Sequence, residues 1–264
     1  MTMVTLHKEG VKLTVLDEGD RSSADVLLFL HGWCCDSSTF SAQSKHFGGN
    51  RRIVVPNLRG HGTSDAPVQD YDLGMFVDDI VWLLDELDIT LATVIGHSMG
   101  GAVGLELARR CPERVAGLFM IDTVLFPPLD LRLGLAGLLD VLETSGLEAG
   151  LAQAAALLFI PQDDPTIRDG IMSRVAETPD HVALSAFKNH LLDYDPVPAL
   201  SRSRLPMGYA GAANALADLG QILVHSPKLL TAKTLASGHF SPIFVPDQIN
   251  AMVETFLRVM ATDR

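Results

Sequence analysis

The chain has few cysteines and none of the sequence fingerprints of a metal or nucleotide site. Only three of its 264 residues are cysteine, and two of them, Cys34 and Cys35, are adjacent, so no disulfide framework is expected. No cysteine–histidine grouping has zinc-site spacing, and no glycine-rich phosphate or dinucleotide fingerprint occurs. The sequence therefore predicts a protein that works with neither a metal ion nor another cofactor.

Long apolar runs and an excess of positive charge are also missing. No apolar stretch approaches the roughly 18 residues of a membrane-spanning helix, and the chain does not start with a basic segment followed by an apolar one. The net charge of −12 disfavours nucleic acid and anionic membrane surfaces as partners. We expect a folded cytoplasmic protein without a signal peptide. Its oligomeric state stays open, a homo-oligomer included.

A five-residue turn organises the rest of the chain. Residues 96–100 have the sequence Gly-His-Ser-Met-Gly and match G-x-S-x-G, the turn that presents a nucleophilic serine between a strand and a helix. Apolar residues 91–95 predict that strand, and residues 102–110 predict the helix. Glycine is needed at both ends because a side chain would clash in so sharp a turn. Such a turn exposes the hydroxyl of Ser98 and aims the amide of Met99 at a developing oxyanion.

Other short apolar runs end in residues that could complete a catalytic site. Predicted strands alternate with predicted helices, which favours a mostly parallel sheet with helices on both faces. Ser98, Asp122 and His239 each follow the C-terminal end of a predicted strand, where such sheets bind ligands. In this arrangement His239 is the general base for Ser98, and Asp122 orients its ring. The amide of Trp33, in the His-Gly-Trp step after the strand 26–30, is a second oxyanion donor.

The acid is the least determined member of this set. Residues 213–215, after the strand predicted over 206–212, are Ala-Asn-Ala and offer no carboxylate. Asp218 follows soon after, but we expect it inside a helix predicted over 217–224. Asp122 is therefore preferred, with a buried structural carboxylate as the alternative.

Two further predictions concern the sheet edge and charged side chains. Val11 to Leu16 alternates in polarity, which predicts an edge strand. Asp78, Asp79, Asp85 and Glu86 fall between the apolar positions of a predicted helix and are expected to form its solvated face. Arg59 and His61, in a glycine-punctuated loop, are expected to be structural.

The pattern changes between residues 125 and 200. Strand signals stop, and amphipathic helical stretches appear over 131–142, 147–159, 165–176 and 180–192. We predict a helical cap, residues 125–200, inserted into a core of residues 1–124 and 201–264. The cap would wall an apolar pocket and exclude water. Trp33, His97 and Phe240 are the predicted substrate contacts from the core.

The chain resembles the α/β-hydrolase superfamily over nearly its full length. The motifs that carry the resemblance are His31-Gly32-Trp33, residues 57–62 (Asn-Leu-Arg-Gly-His-Gly), residues 96–101 and Gly238-His239-Phe240. The resemblance implies a capped sheet and cofactor-free hydrolysis of an ester, a lactone, a thioester or a C–C bond. Residues 32–36, residues 55–57 and Asp122 are also similar to the cofactor-free 2,4-dioxygenases that open 3-hydroxy-4-oxoquinoline rings.

Three functions therefore stand side by side. The first is a serine hydrolase that cleaves a small to medium apolar carboxylic ester or lactone through Ser98, His239, Asp122 and an acyl-enzyme. The second is a cofactor-free dioxygenase in which His239 and Asp122 deprotonate the substrate. The third is a non-catalytic receptor for a small ligand, which the presence of all three residues disfavours.

Overall fold

The computed structural model describes residues 3–262, and within them eight strands form one sheet. The strands are β1 (Met3–Lys8), β2 (Val11–Gly19), β3 (Val26–Leu30), β4 (Arg52–Pro56), β5 (Ala92–His97), β6 (Val115–Ile121), β7 (Met207–Gly211) and β8 (Leu230–Lys233). Their order in the sheet is β1-β2-β4-β3-β5-β6-β7-β8. Strands β3 to β8 run parallel to one another, whereas β2 is antiparallel to both of its neighbours.

Helices cover both faces of this sheet. The α-helices are α1 (Ser41–Phe47), α2 (Leu73–Glu86), α3 (Met99–Arg110), α4 (Leu129–Leu158), α5 (Pro165–Val175), α6 (Asp180–Phe187), α7 (Val197–Arg202), α8 (Leu219–His225), α9 (Ser241–Phe244) and α10 (Pro246–Thr262). Short 3-10 helices span Ser37–Phe40 and Pro112–Arg114, and a π-helix spans Lys188–Leu192. The predicted α/β-hydrolase architecture, a mostly parallel sheet flanked by helices with further helices inserted between two strands, is confirmed.

Buried side chains form two clusters, one on each face of the sheet. Alternate residues of a strand point to opposite faces, so Leu28 belongs to one cluster and Leu27 to the other. The first cluster includes Phe76 of α2, and the second includes Phe256 of α10. Burial on both faces explains why β3 is a continuous apolar run in the sequence.

The predicted edge strand lies inside the sheet. β2 pairs with β4 on one side and with β1 on the other, in a register that joins Met3 to Leu16. The edge is β1, whose side chains alternate between exposed and half-buried. The prediction was wrong because β1, which has no fully buried side chain among its residues, could not be recognised in the sequence as a further strand beyond β2.

The inserted helices lie between β6 and β7, where the sequence predicts the cap. Helix α4 joins two of the predicted helical stretches across a kink at Gly146, whose φ is 80°. The division into a cap of 125–200 and a core of 1–124 and 201–264 remains our proposal. Residues 1, 2, 263 and 264 of that core lie outside the described residues. Within residues 3–262, none of the helices combines the length and apolar character that a membrane crossing requires.

The acidic side chains of α2 are only partly a solvated face. Asp79 is buried, 3% exposed, and forms ion pairs with Lys8 at 3.0 Å and Arg59 at 2.6 Å. Asp78 pairs with Arg110 at 2.6 Å. The expectation was wrong for Asp79, because the end of β1 brings Lys8 to it and the loop after β4 brings Arg59. The structural role expected for Arg59 is confirmed by the same ion pair.

Candidate active site

The turn around Ser98 has the strained geometry that its sequence predicts. Ser98 follows β5 and precedes α3, with a φ of 53° and a ψ of −120°. Positive φ is costly for a residue with a side chain and persists only where the surroundings enforce it. A β-carbon on Gly96 would overlap the carbonyl of Gly100, and one on Gly100 would overlap the carbonyl of Leu30. The two glycines therefore let the helix start directly against the sheet.

The loop after β3 lies against this turn. A β-carbon on Gly32 would come within 3.0 Å of Cβ of Ser98 and 3.1 Å of Nδ1 of His97. The backbone step from Gly32 to Trp33 is therefore placed beside the serine. Met99 is the first residue of α3, where helix amides have no partner within the helix. The backbone at Trp33 and the backbone at Met99 therefore both lie next to Ser98, where their amides can face an oxyanion.

Asp122 and His239 are in direct contact although 117 positions separate them. Nδ1 of His239 lies 2.8 Å from Oδ2 of Asp122, and both side chains are buried. The carboxylate accepts this bond, so Nδ1 carries a proton. The other oxygen of Asp122 accepts the amides of Ala212 at 3.0 Å and Leu216 at 3.4 Å. These bonds satisfy a carboxylate that would otherwise be costly to bury.

The alternative acid lies elsewhere. Asp218 is exposed and is the N-cap of α8, where its side chain accepts the amide of Gln221 at 3.1 Å. The expectation that Asp218 sits inside a helix was wrong by one or two residues, because α8 starts at Leu219. Of the two candidates, the structure brings Asp122 to His239.

His97 packs beneath His239 as a neutral ring. Its Nε2 lies 2.9 Å from the carbonyl oxygen of His239, which can only accept, so this nitrogen donates. Burial lowers the pKa of His97 well below its ordinary value, and the neighbouring His239 lowers it further. The two rings are 4.6 Å apart between centroids. His97 therefore holds the backbone of the neighbouring histidine as well as bordering the pocket.

A narrow apolar pocket opens over Ser98 and His239. The cavity volume is about 40 Å³, and the space that includes the open mouth of the pocket is about 540 Å³. Trp33, His97 and Phe240, the predicted substrate contacts, all border it. The inserted helices supply most of the remaining wall, with Leu131, Leu135, Leu138, Ala154, Leu157, Leu158, Phe187 and Leu191.

Trp33 joins the core to the inserted helices. Its indole Nε1 donates to the carbonyl of Ala183 in α6 at 2.8 Å, and its ring meets Phe187 edge-on at 5.3 Å. Phe240 stacks on Phe159, with 5.2 Å between ring centroids. Both aromatic side chains are thus buried and fixed in the wall.

Sequence reasoning missed the residue that holds the loop of His239. Asp163, between α4 and α5, accepts the amide of Gly238 at 3.0 Å and that of Ile160 at 2.9 Å. The amide of His239 itself donates to the carbonyl of Leu158 at 2.8 Å. Residues 162–165, Gln-Asp-Asp-Pro, indicate only a loop and a helix start, so the sequence carried no signal for this contact.

Comparisons with known proteins agree with this fold. The family model described as the alpha/beta hydrolase fold matches residues 25–233. The 3-oxoadipate enol-lactonase 2 of Acinetobacter baylyi is 27% identical over 264 residues, which cover 96% of each protein. The structure of the enol-lactonase from Burkholderia xenovorans has a TM-score of 0.86 at 20% identity, over 97% of this chain and 100% of that one. A thermophilic esterase from Thermogutta terrifontis has a TM-score of 0.85 at 20% identity, over 98% and 99%.

Proposed function

The chain belongs to the alpha/beta hydrolase fold family, and from that premise we propose that it is a serine hydrolase of small to medium apolar carboxylic esters or lactones. The observation that carries the proposal is the 2.8 Å contact between His239 and Asp122, beside the pocket that Ser98 borders. A nucleophile, a base and an orienting acid are the parts that acyl transfer needs.

The proposed reaction starts at the serine. Nε2 of His239 takes the proton of the Ser98 hydroxyl as its oxygen attacks the substrate carbonyl. Asp122 keeps the proton on Nδ1 and stabilises the imidazolium that forms. The amides of Trp33 and Met99 donate to the oxyanion of the tetrahedral intermediate. Collapse breaks the bond to the leaving alcohol, which receives the proton from His239. Water then hydrolyses the acyl-enzyme by the same steps.

The lining of the pocket supports an uncharged, apolar substrate. Its walls are mainly leucine and phenylalanine side chains, and no lysine or arginine occurs among the described residues that border it. A carboxylate group on the substrate would therefore be buried without a cationic partner, which is costly. The names of the similar proteins, enol-lactonase and esterase, support ester or lactone cleavage. We propose that residues 125–200 act as the cap that keeps bulk water from this pocket.

Activity of two site variants tests the proposal. Ser98→Ala and His239→Ala are measured beside the parent on p-nitrophenyl esters and lactones, and on a hydroxyquinolone with an oxygen electrode. Loss of a catalytic serine or its base removes several orders of magnitude from hydrolysis. Ser145→Ala, an exposed position on α4, is the matched control and keeps full activity.

Each alternative has its own result. If Ser98→Ala keeps most of its activity while oxygen is consumed, the reaction is that of a dioxygenase with His239 and Asp122 as its base. If neither site variant differs from the parent on any substrate, a ligand receptor replaces the hydrolase. Covalent labelling of Ser98 by an alkyl fluorophosphonate, lost in His239→Ala, supports the hydrolase without knowledge of the natural substrate.

A further inference from the structure

The loop that carries His239 forms hydrogen bonds with the helical segment inserted between β6 and β7. These bonds lie at and just before the histidine in the chain. The amide of Gly238 donates to Oδ1 of Asp163 at 3.0 Å, and the amide of His239 donates to the carbonyl of Leu158 at 2.8 Å. Both acceptors belong to the chain between β6 and β7, about 75 to 80 positions away. The backbone next to the proposed base is thus fixed by a separate part of the fold.

Asp163 is built for this contact. Its side chain is 7% exposed, and its second oxygen accepts the amide of Ile160 at 2.9 Å. Burial of a carboxylate is costly unless charge-assisted hydrogen bonds offset the cost. Here each oxygen has one such bond. The carboxylate therefore has a defined position, and its hydrogen bond to the Gly238 amide fixes the position of that residue as well.

The fit at Gly238 is close enough to require glycine. A β-carbon there would lie 2.5 Å from Oδ2 of Asp163 and 2.7 Å from the carbonyl oxygen of Leu158. Both distances are shorter than van der Waals contact allows. A larger residue at 238 would push the loop away from Asp163 and move the histidine that follows.

We propose that Asp163 is a positioning residue: its hydrogen bond to the Gly238 amide sets the His239 ring against Asp122 and the pocket. The inference rests on the proposed role of His239 as the general base. A misplacement of about 1 Å in a reacting group can cost about 100-fold in rate. The inserted segment then has a second role beside walling the pocket, because it holds the base in its working orientation.

The adjacent residue provides a control in the same loop, although its side chain is exposed whereas that of Asp163 is buried. Asp164 also accepts two backbone amides, those of Thr166 at 2.8 Å and Ile167 at 3.1 Å, but both belong to its own helix α5. Asp163→Ala and Asp164→Ala therefore each delete a carboxylate and two hydrogen bonds from the same loop. Only the first deletion removes a bond to the loop of His239.

Steady-state kinetics distinguishes positioning from a purely structural role. We expect kcat of Asp163→Ala to fall by about 10- to 100-fold, with KM changed by less than about threefold, because substrate contacts stay intact. Asp163→Asn offers one acceptor oxygen, so its kcat lies between those of the parent and the alanine variant. Asp164→Ala stays within about twofold of the parent in both constants.

A spectroscopic readout is independent of turnover. We expect the Nδ1 proton of His239, held by Asp122, to give a downfield proton resonance in the parent. Asp163→Ala should weaken or shift this resonance, whereas Asp164→Ala should not. If Ser98→Ala hydrolyses substrate like the parent, the proposed function has failed, yet this resonance still tests the positioning.

Several outcomes would overturn the inference. Equal losses of kcat in Asp163→Ala and Asp164→Ala would show that a general weakening of the 163–164 loop lowers kcat, and not the loss of the bond to Gly238. An unchanged kcat and an unchanged His239 resonance in Asp163→Ala would show that the bond to Gly238 does not set the ring. If Asp163→Ala does not fold, the isosteric Asp163→Asn decides by the same two readouts.

Discussion

The carboxylate of Asp122, just after β6, accepts the amide of Ala212, just after the neighbouring strand β7, at 3.0 Å. The loop after β7 also supplies the amide of Leu216 to the same oxygen. Residues 213–215 of that loop are Ala-Asn-Ala. This loop therefore offers donors to a carboxylate on the adjacent strand and has no carboxylate of its own at these positions.

The first prediction concerns this acid. Asp122→Asn should lower kcat/KM for ester hydrolysis by roughly 10⁴-fold, because an amide neither fixes the tautomer of His239 nor stabilises its imidazolium. Asp218→Asn should keep activity and stability, because asparagine caps a helix about as well as aspartate. Ester hydrolysis by the purified variants checks both. A large loss in Asp218→Asn with an active Asp122→Asn would assign the acid to the other position.

The second prediction concerns Gly32. In Gly32→Ala the new β-carbon would come within 3.0 Å of Cβ of Ser98, so either the serine or the backbone of Trp33 must move. We expect a loss of at least about tenfold in kcat, since small displacements at a reacting centre are costly. Gly49→Ala is the control, because a β-carbon there has no neighbour within 4 Å among the described residues. Equal kcat for the two variants would mean that the loop yields without moving the serine.

Local patterns were sufficient for the turn of Ser98. Its five residues are contiguous, and contacts with the adjacent turn and strand explain why two of them are glycine. Asp122 follows the buried strand β6 and His239 lies in the loop after β8. Both could be placed because the ends of parallel strands meet at one edge of a sheet. The sequence could thus predict the architecture and bring these three residues to one rim.

Contacts between distant segments were beyond local patterns. Strand β1 is recognised only through its pairing with β2, since its own side chains are at most half-buried. Asp79 was expected on a solvated face because nothing in α2 indicates Lys8 or Arg59. Asp163 meets Gly238 across 75 positions, in a loop without a recognisable motif. Such long-range partners follow from the assembled fold, which the sequence periodicity of one element does not specify.

The third prediction concerns acid sensitivity. Burial lowers the pKa of His31 to about 4 and those of His61 and His190 to about 3. An unfolded histidine titrates near 6.5, so below that pH the unfolded state binds protons that the native state does not. The free energy of unfolding must therefore fall as the pH drops from about 6.5 towards 4, by up to about 1.4 kcal/mol per pH unit for each histidine.

His190 is the residue with which to test this dependence. Both of its ring nitrogens are buried without a hydrogen-bond partner among the described residues. His190→Leu should therefore reduce the loss of stability between about pH 7 and pH 5, measured by urea unfolding. The exposed His7→Gln should leave the pH dependence of the parent unchanged. Identical pH slopes for the parent and His190→Leu would mean that His190 is not kept neutral in the folded protein.

The last prediction concerns the thiol that separates two cavities. Cys35 borders the pocket of Ser98 and also a more polar cavity whose other walls include Cys34 and Arg174. The volume of that cavity is about 160 Å³, four times the roughly 40 Å³ of the pocket. Burial raises the pKa of the Cys35 thiol to about 12, so it stays uncharged and acts through its size.

Removal of this sulfur should widen the range of substrates. In Cys35→Ala the apolar pocket gains the space of the sulfur, and the ratio of kcat/KM for an octanoyl over a butanoyl p-nitrophenyl ester should rise by about tenfold, the scale of an added methylene in an apolar site. Cys34→Ala is the matched control, because Cys34 borders only the second cavity of the two. A rise of the same size in Cys34→Ala would point to a general loosening of the 33–36 loop. An unchanged ratio in both variants would mean that the wall between the cavities does not depend on the sulfur of Cys35.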